Sequence, residues 1–573
     1  MSEPSSSEDQ QALQKQWEPL LKLYKQGKIS RRQFVKLGLA VGGAAALTAA
    51  GTSSIVQKVL AQGLEPQVLI YAADQDIPTI DPSDRTDYSI GAVSRQIYDR
   101  LFRFEGGWPA PVEPGLASKW EASPDAREWI FHLTDQAKFH DGTLVTAEAV
   151  KFSYERTLRM KKQRSNVLQP YLDETGSVEV MDDHTVRMTL KTPFGDFPRL
   201  LAFQEQGIVN PKQVRDHERG GDEGAEWLRT HEAGSGPFTL KSWRPEISTY
   251  EFEAVPDYWQ GWPGEGHLAG FVWRVIGEPT SRRLALLSGE ADIADVISVD
   301  DLAILKNDPR ITTQSNAGLL AGYVKLNNTK PPTSDPNFRR FLAYAFDYQA
   351  IEDFLLGTAP LMVGPIPQGV GGHDPEVQPL YRHDLNKARE YLDKTPWKDG
   401  GVEVDYVYVT GLDFEEQVGL ILLDQLRRFN IKVNLVPKIW PDMVASCAFP
   451  ETGPHMINIF VQSAPIPDLW FVEQFYSPNW DRETGGSFQT CEFYKSPTVN
   501  TLIEKLLVTT DTEARLRIIR GLQQLVMEDV PSMPLFVISN NLGFRKRVQG
   551  YEYFGDISVD FWRLWIDDSK ERA

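Results

Sequence analysis

Cysteine is nearly missing from this 573-residue chain, which carries only Cys447 and Cys491. The two could pair in an oxidising compartment, but one bridge is no framework for a fold of this size, so packing must hold it together. Histidine is also scarce, nine in all, and no two stand four apart, so a histidine-built metal site has no support. The catalytic signatures are absent as well: no G-x-S-x-G elbow, no H-E-x-x-H zinc helix and no GxxxxGK[ST] phosphate loop. Positive charge is in deficit, with 60 basic against 79 acidic residues and a net charge of −19. That argues against a nucleic-acid binder, and the acidity reads as solvated surface. No apolar run reaches the ~20 residues of a confident membrane span; Leu37 to Ala50 is Gly- and Ala-rich and too short. What is present is 41% hydrophobic and 11% aromatic, enough for a sizeable core and, at roughly 100–200 residues per unit, for three or so folding units.

The N-terminus reads as an address. Ser30-Arg31-Arg32-Gln33-Phe34-Val35-Lys36 matches the twin-arginine pattern, which exports proteins already folded. The apolar stretch behind it, Lys58, and the small or apolar residues Val59-Leu60-Ala61 complete a leader whose mature product is expected to start near Gln62. No cysteine stands at the cleavage point, so a lipid anchor is not expected. The leader removes 8 basic and 4 acidic groups and leaves the mature chain at −23. The expected location is the periplasm, reached through the twin-arginine translocase.

The mature chain alternates strand and helix patterns. Gln67 to Tyr71 is an apolar first strand, and Asp76 to Pro82 a loop closed to continuation by its prolines. Ala92 to Leu101 reads as a helix. Trp129, Phe131 and Leu133 alternate with polar neighbours as a strand, His140-Asp141-Gly142 supplies a turn, and Thr146 can cap a helix carrying Val150, Tyr154 and Leu158. His140-Asp141 is read as turn chemistry rather than as a catalytic base with its carboxylate, because adjacent turn residues diverge. A hairpin surrounds Asp182-Asp183, and Gly234 to Phe238 is a flexible turn. Tyr258, Trp259 and Trp262 read as a packed surface turn. Arg282 to Gly289 is a helix followed by a strand at Ala291 to Val296. Asp335-Pro336 is a strong helix start, since proline's missing N–H costs nothing there. Val402 to Tyr408, a helix opened by Asp413 and Glu416, and Ile431 to Leu435 form a strand–helix–strand crossover with parallel strands.

Several of these stretches together resemble a known family. Leu116 to Trp120, Ser123-Pro124-Asp125 with Trp129 and Phe131-His132-Leu133, Phe139 to Gly142, and Thr146 to Arg156 look like the signature block of the family 5 extracellular solute-binding proteins. These are the oligopeptide, dipeptide and nickel receptors of bacterial ABC importers. Gly234 to Phe238, the helix–strand pair ending near Val296, and Tyr323 to Asp347 resemble further family elements, with Phe341 where the family has a small residue. The resemblance implies an α/β, bilobal periplasmic-binding-protein fold of the type II, oligopeptide-receptor-like kind, with an extra inserted lobe. On that pattern residues 62–112, 235–317 and 531–573 form lobe I, 113–234 the inserted lobe, and 318–530 lobe II.

The resemblance also points to where a ligand would sit. The specificity-bearing segment runs from Phe460 to Phe471, where the family has an aspartate that captures a peptide's free amino group. Here Ala464 stands in its place. Asp468 could substitute or could cap the helix beginning near Leu469, and a buried ammonium left without its partner would cost about 3–5 kcal/mol. Gln462 and Ser463 belong to the same segment. Trp470 and Phe471, with Phe475 and Tyr476, make an aromatic surface that serves either ligand stacking or the core. Asp76, Tyr98 and Trp440 stand near loops that face the cleft in the family. The resulting expectation is a receptor without cofactor, metal or catalysis, monomeric, binding no nucleic acid, and delivering a peptide or peptide-sized solute to an ABC permease in the inner membrane. Alternatives are a non-peptide solute (oligosaccharide, opine or nickel complex) in the same receptor class, or an extracytoplasmic hydrolase.

Overall fold

The computed structural model describes residues 67–572 apart from 85–87, 105–110, 163–167, 203–205, 357, 463–465, 484 and 555–558. Arg31, Arg32, the cleavage site, Ser463 and Ala464 lie outside the described residues. In chain order the strands are β1 (Gln67–Ala73), β2 (Phe102–Phe104), β3 (Val112–Pro114), β4 (Ala117–Ala122), β5 (Glu128–Leu133), β6 (Val178–Asp182), β7 (Thr185–Thr189), β8 (Phe238–Arg244), β9 (Thr249–Ala254), β10 (Leu268–Val275), β11 (Ile293–Ala294), β12 (Ile311–Leu326), β13 (Val402–Val409), β14 (Ile431–Lys438), β15 (Met456–Gln462) and β16 (Ser532–Arg545). The helices that matter below are α1 (Tyr88–Ile97), α2 (Ala147–Met160), α3 (Pro279–Ser288), α4 (Pro336–Ala345), α5 (Asp413–Arg427), α6 (Trp440–Ser446), α7 (Pro467–Phe475), α8 (Pro497–Val508) and α9 (Thr512–Asp529).

Ten strands join in one run ordered β14-β13-β15-β12-β16-β11-β1-β10-β9-β8. It is two α/β sheets sharing a ribbon. In the first half β1 runs parallel to β10 and β11; in the second, β13 runs parallel to β14 and β15. β12 and β16 are long antiparallel partners that extend through both halves, and their register shifts twice, between Ala317 and Ala321 and between Ala321 and Tyr323. A break in register lets a ribbon bend there. Ser532 to Val537 pair with residues on the second-half side of that break, while Ser539 to Arg545 pair on the first-half side.

Between β1 and β8 the chain leaves this sheet and builds a separate four-stranded one, β4-β5-β7-β6, with its own core. Trp129, Phe131 and Leu133 are buried on alternate positions of β5 as their period requires. This insertion is tied firmly to the first half. Arg156 and Asp81, both fully buried, form a bidentate pair at 2.8 and 2.5 Å, Ser83 and Thr157 share a hydroxyl bond of 2.7 Å, and Phe152 of α2 packs into the first-half core.

Some local expectations shift. The helix expected at 92–101 runs from Tyr88 to Ile97, because the chain turns at Tyr98-Asp99-Arg100 into β2. The strand expected at 291–296 shortens to Ile293–Ala294. Thr146 occupies the cap position of α2 but makes no side-chain cap bond. Asp413 and Glu416 do not form a capping box either: Leu412 is the cap residue and both acids sit in the first turn, where they face the positive helix end. Asp335 does cap α4, accepting from the amides of Asn337 and Phe338. Cys447 and Cys491 form a disulfide with their Cα atoms 4.8 Å apart.

Candidate ligand cleft

In open α/β sheets, ligands bind beyond the carboxyl ends of parallel strands, where loops diverge. Here both halves turn those ends toward one another. Ala294, the last residue of β11, pairs with Gly543, which pairs with Thr313; Gln462 at the end of β15 pairs with Leu320. Seven residue steps along β12 separate these points, about 23 Å along the ribbon at roughly 3.3 Å per residue.

The ribbon forms the floor of this gap. Gln314 to Gly318 on β12 and Ile538 to Asn541 on β16 are exposed or half-buried, whereas both strands are mostly buried beyond those stretches. The floor is polar: Ser315 donates to Asn541 Oδ1 at 2.7 Å, Asn316 donates to the Tyr551 hydroxyl at 3.1 Å, and the Tyr553 hydroxyl donates to the Ala317 carbonyl at 3.1 Å.

On the first-half wall, β1 ends in the Asp74–Pro82 loop. Trp273 Nε1 pins the Gln75 carbonyl at 3.1 Å, and the Tyr250 hydroxyl bonds to exposed Asp76. β10 and β11 end in loops joined by buried Arg282. Its guanidinium donates to the carbonyls of Ile276 (2.7 Å), Gly277 (3.1 Å), Asp295 (3.0 Å) and Val296 (2.9 Å). Val296 is held at φ +43° and is 44% exposed. A β-branched residue is strained at positive φ, and such strain gathers at functional walls. On the opposite side β14 leads through Ile439 into α6, whose first residue Trp440 is 44% exposed, its ring edge-on to Phe488 at 5.3 Å. β13 ends beside buried Glu415 of α5, whose Oε2 accepts from the Val409 amide at 2.6 Å. Burial pushes that carboxyl up to about 7, against the opposing pull of the Val409 amide.

The expected site residues divide. Gln462 is the last residue of β15, Asp76 stands exposed in the loop after β1, and Trp440 opens α6 just after β14. Tyr98 is buried where α1 meets the insertion, and burial with Glu232 and Asp81 nearby raises its phenol well above the usual range. Asp468 is fully buried and ion-paired to Arg515, so it neither caps α7, which begins one residue earlier, nor faces the gap. Burial raises its carboxyl despite Arg515. Trp470 and Phe471 are fully buried members of a core cluster under α7 and α9. Helix α7 buries Asp468, Trp470, Phe471, Gln474 and Phe475, and leaves Leu469, Val472 and Glu473 half-buried. Tyr258 and Trp259 both donate to buried Asp99, at 2.7 and 2.8 Å, as a packed turn. His140 is also structural. Its ring bonds Glu232 at 2.8 Å and the Gly236 carbonyl at 2.9 Å, and its pKa is raised because Glu232 outweighs burial, which acts against the cation. Asn316, Val296, Tyr551 and Tyr553 were not anticipated. The one available signal was polar Gln314-Ser315-Asn316 in the middle of an otherwise apolar strand.

Two α/β halves opposed across a two-strand ribbon define the bilobal periplasmic-binding-protein class. Residues 111–482 match the model of the bacterial extracellular solute-binding proteins, family 5, and residues 28–48 match the twin-arginine translocation signal. The chain belongs to that solute-binding family, and it is an exported, periplasmic receptor of the kind that serves ABC importers. It is 31% identical over 494 residues to the probable D,D-dipeptide-binding periplasmic protein DdpA of Escherichia coli K12, covering 85% of this chain and 91% of that one. It is 27% identical over 503 residues to heme-binding protein A of Haemophilus influenzae, covering 82% and 88% respectively. The solved structure of HbpA2 from Haemophilus parasuis has the same fold, with a TM-score of 0.78 at 24% identity over 87% of this chain and all of that one. Among the described residues no helix is long and apolar enough to cross a membrane, and no cluster of three or more His, Cys, Asp or Glu side chains could hold a metal ion.

Proposed function

We propose that this receptor captures a dipeptide-sized solute in the gap between its lobes, acts as a monomer without catalysis, and releases the solute to a permease. The observation that carries the reading is the opposition of two sets of parallel-strand ends across a polar, half-buried ribbon floor. Ligand binding would favour lobe closure because a solute touching both walls binds the closed state more tightly than the open one. On this reading lobe I comprises residues 62–112, 235–317 and 531–573, lobe II residues 318–530, and 113–234 the insertion. Asp76 takes the cationic end of the ligand, Trp440 packs against its body, and Gln462 and Ser463 bind its polar backbone. Likeness to a D,D-dipeptide receptor supports a short peptide. Withdrawal of Asp468 into the core supports a second reading, a solute without a free ammonium such as an oligosaccharide, opine or nickel complex.

The test is a thermal-shift screen of the mature chain against L- and D-dipeptides, oligosaccharides, opines and nickel. A ligand at one hundred times its Kd adds about 2.7 kcal/mol. Stabilisation by dipeptides, lost in Asp76→Asn, supports the first reading; stabilisation by a non-peptide alone selects the second. Stabilisation by none at millimolar concentration counts against a small-solute receptor. Turnover of chromogenic glycosides or peptides would point instead to a hydrolase.

A further inference from the structure

Among the described residues, the insertion touches lobe II through a small set of contacts centred on Gly195-Asp196. The Gly195 amide donates to the Leu507 carbonyl, at the end of α8, at 2.7 Å. The next residue, Asp196, places its carboxylate 3.4 Å from Arg515 of α9 and 3.0 Å from Arg199 of its own module. Arg515 is in turn paired with buried Asp468 at the start of α7, and it donates to the carbonyls of Leu506 (3.1 Å) and Thr509 (3.0 Å). One guanidinium therefore joins three pieces: the insertion, the α8–α9 turn and α7. Around it Ile466, Leu469 and Leu507 of lobe II pack against the insertion's apolar core. Gly195 is required by the closeness of approach. A Cβ there would collide with the Thr509 carbonyl oxygen, although the backbone conformation itself carries no left-handed strain.

The two attachments of the insertion differ in kind. To lobe I it is bound by the fully buried Arg156–Asp81 pair, by Ser83–Thr157 and by a shared core. To lobe II it offers one main-chain bond, a partly exposed carboxylate and a few apolar side chains. Bending at the β12–β16 register break would carry the insertion with lobe I and part it from lobe II at Gly195-Asp196. On parting, Asp196 keeps Arg199 and Arg515 keeps Asp468, so neither charge is stranded. A contact whose two ionic halves stay satisfied when it opens suits a reversible fastening.

We propose that Gly195-Asp196 and Arg515 form an interlobe clasp, in which Arg515 positions the two lobes and so sets how tightly any solute is held. Asp468 is the anchor that fixes Arg515. This assignment rests on the two-lobed receptor reading, but its test needs no ligand.

Hydrogen exchange would be followed at the peptides spanning residues 194–201 and 504–515 in wild type, Gly195→Ala and Asp196→Ala, with helix content and melting temperature as checks on folding. Both variants are expected to keep a wild-type far-UV spectrum and to exchange about tenfold faster at these peptides while exchange in β5 and β13 is unchanged. Small-angle scattering should show a larger radius of gyration for both. Once the screen yields a stabilising solute, both variants should release it faster, with little change in its rate of association. Wild-type exchange at 194–201 as fast as in Gly195→Ala would overturn the clasp. So would variants that leave exchange and scattering unchanged. If Gly195→Ala fails to fold, Asp196→Ala decides the matter alone. Failure of every solute to bind, with the exchange result as expected, would sink the ligand reading and leave the clasp standing.

Discussion

Asp468 and Trp470 show how a side chain's surroundings overrule its chemistry. Each has the group a ligand site would want, a carboxylate and an indole, yet both are fully buried. Trp470→Ala is expected to cost about 3–5 kcal/mol of stability in chemical denaturation, as a cavity in a packed core does. Trp440→Ala, at the exposed start of α6, should leave stability nearly unchanged and weaken solute binding roughly tenfold, by about 1.4 kcal/mol. Glu415 gives a pH signature. Its carboxyl titrates near 7 in the folded chain, above its ordinary value of about 4.3, so folding takes up a proton between those values. Its stabilising effect is present below the unfolded value and is lost as pH rises through about 7. Glu415→Gln keeps the acceptor for the Val409 amide and removes the charge. Its stability relative to wild type should climb by up to about 3 kcal/mol between pH 4.5 and pH 8, checked by urea melts at both pH values. A flat difference would refute the assignment.

Elements were legible where local chemistry acts alone. Asp335-Pro336 starts α4 as read, with the aspartate accepting two amides. Asp335→Ala should therefore cost about 1 kcal/mol, with no effect on the affinity of a bound solute. The β13–α5–β14 crossover follows from the change of period from two to 3.6 and back, and its parallel register is observed over the full length of both strands. Element ends were less legible. Helix α1 stops at Ile97 because Gly234 and Gly236 pack directly on the Gln96 and Ile97 carbonyls, a contact made by chain more than a hundred residues away. The brevity of β11 likewise reflects Arg282 drawing the Asp295 and Val296 carbonyls out of the ladder. Neither cause leaves a mark in the local pattern.

For the whole molecule, the leader and the receptor make one system: the twin-arginine route exports folded chains, and this fold is stabilised by packing with a single disulfide. Replacing Arg31 and Arg32 together by lysine should hold the precursor in the cytoplasm, as fractionation would show, while the purified mature domain keeps its melting temperature. Normal secretion of that variant would be incompatible with this route. The sequence by itself determined the class, the export route and the succession of strands and helices. Those rest on short-range periodicity, caps and motifs, which neighbouring residues specify. Only the tertiary structure decided which of the candidate side chains are withdrawn into the core. A segment such as Phe460 to Phe471 runs from cleft edge to core within a few residues. Whether Asp468 faces a ligand or an arginine depends on α9, about fifty residues later in the chain, whose Arg515 closes over it.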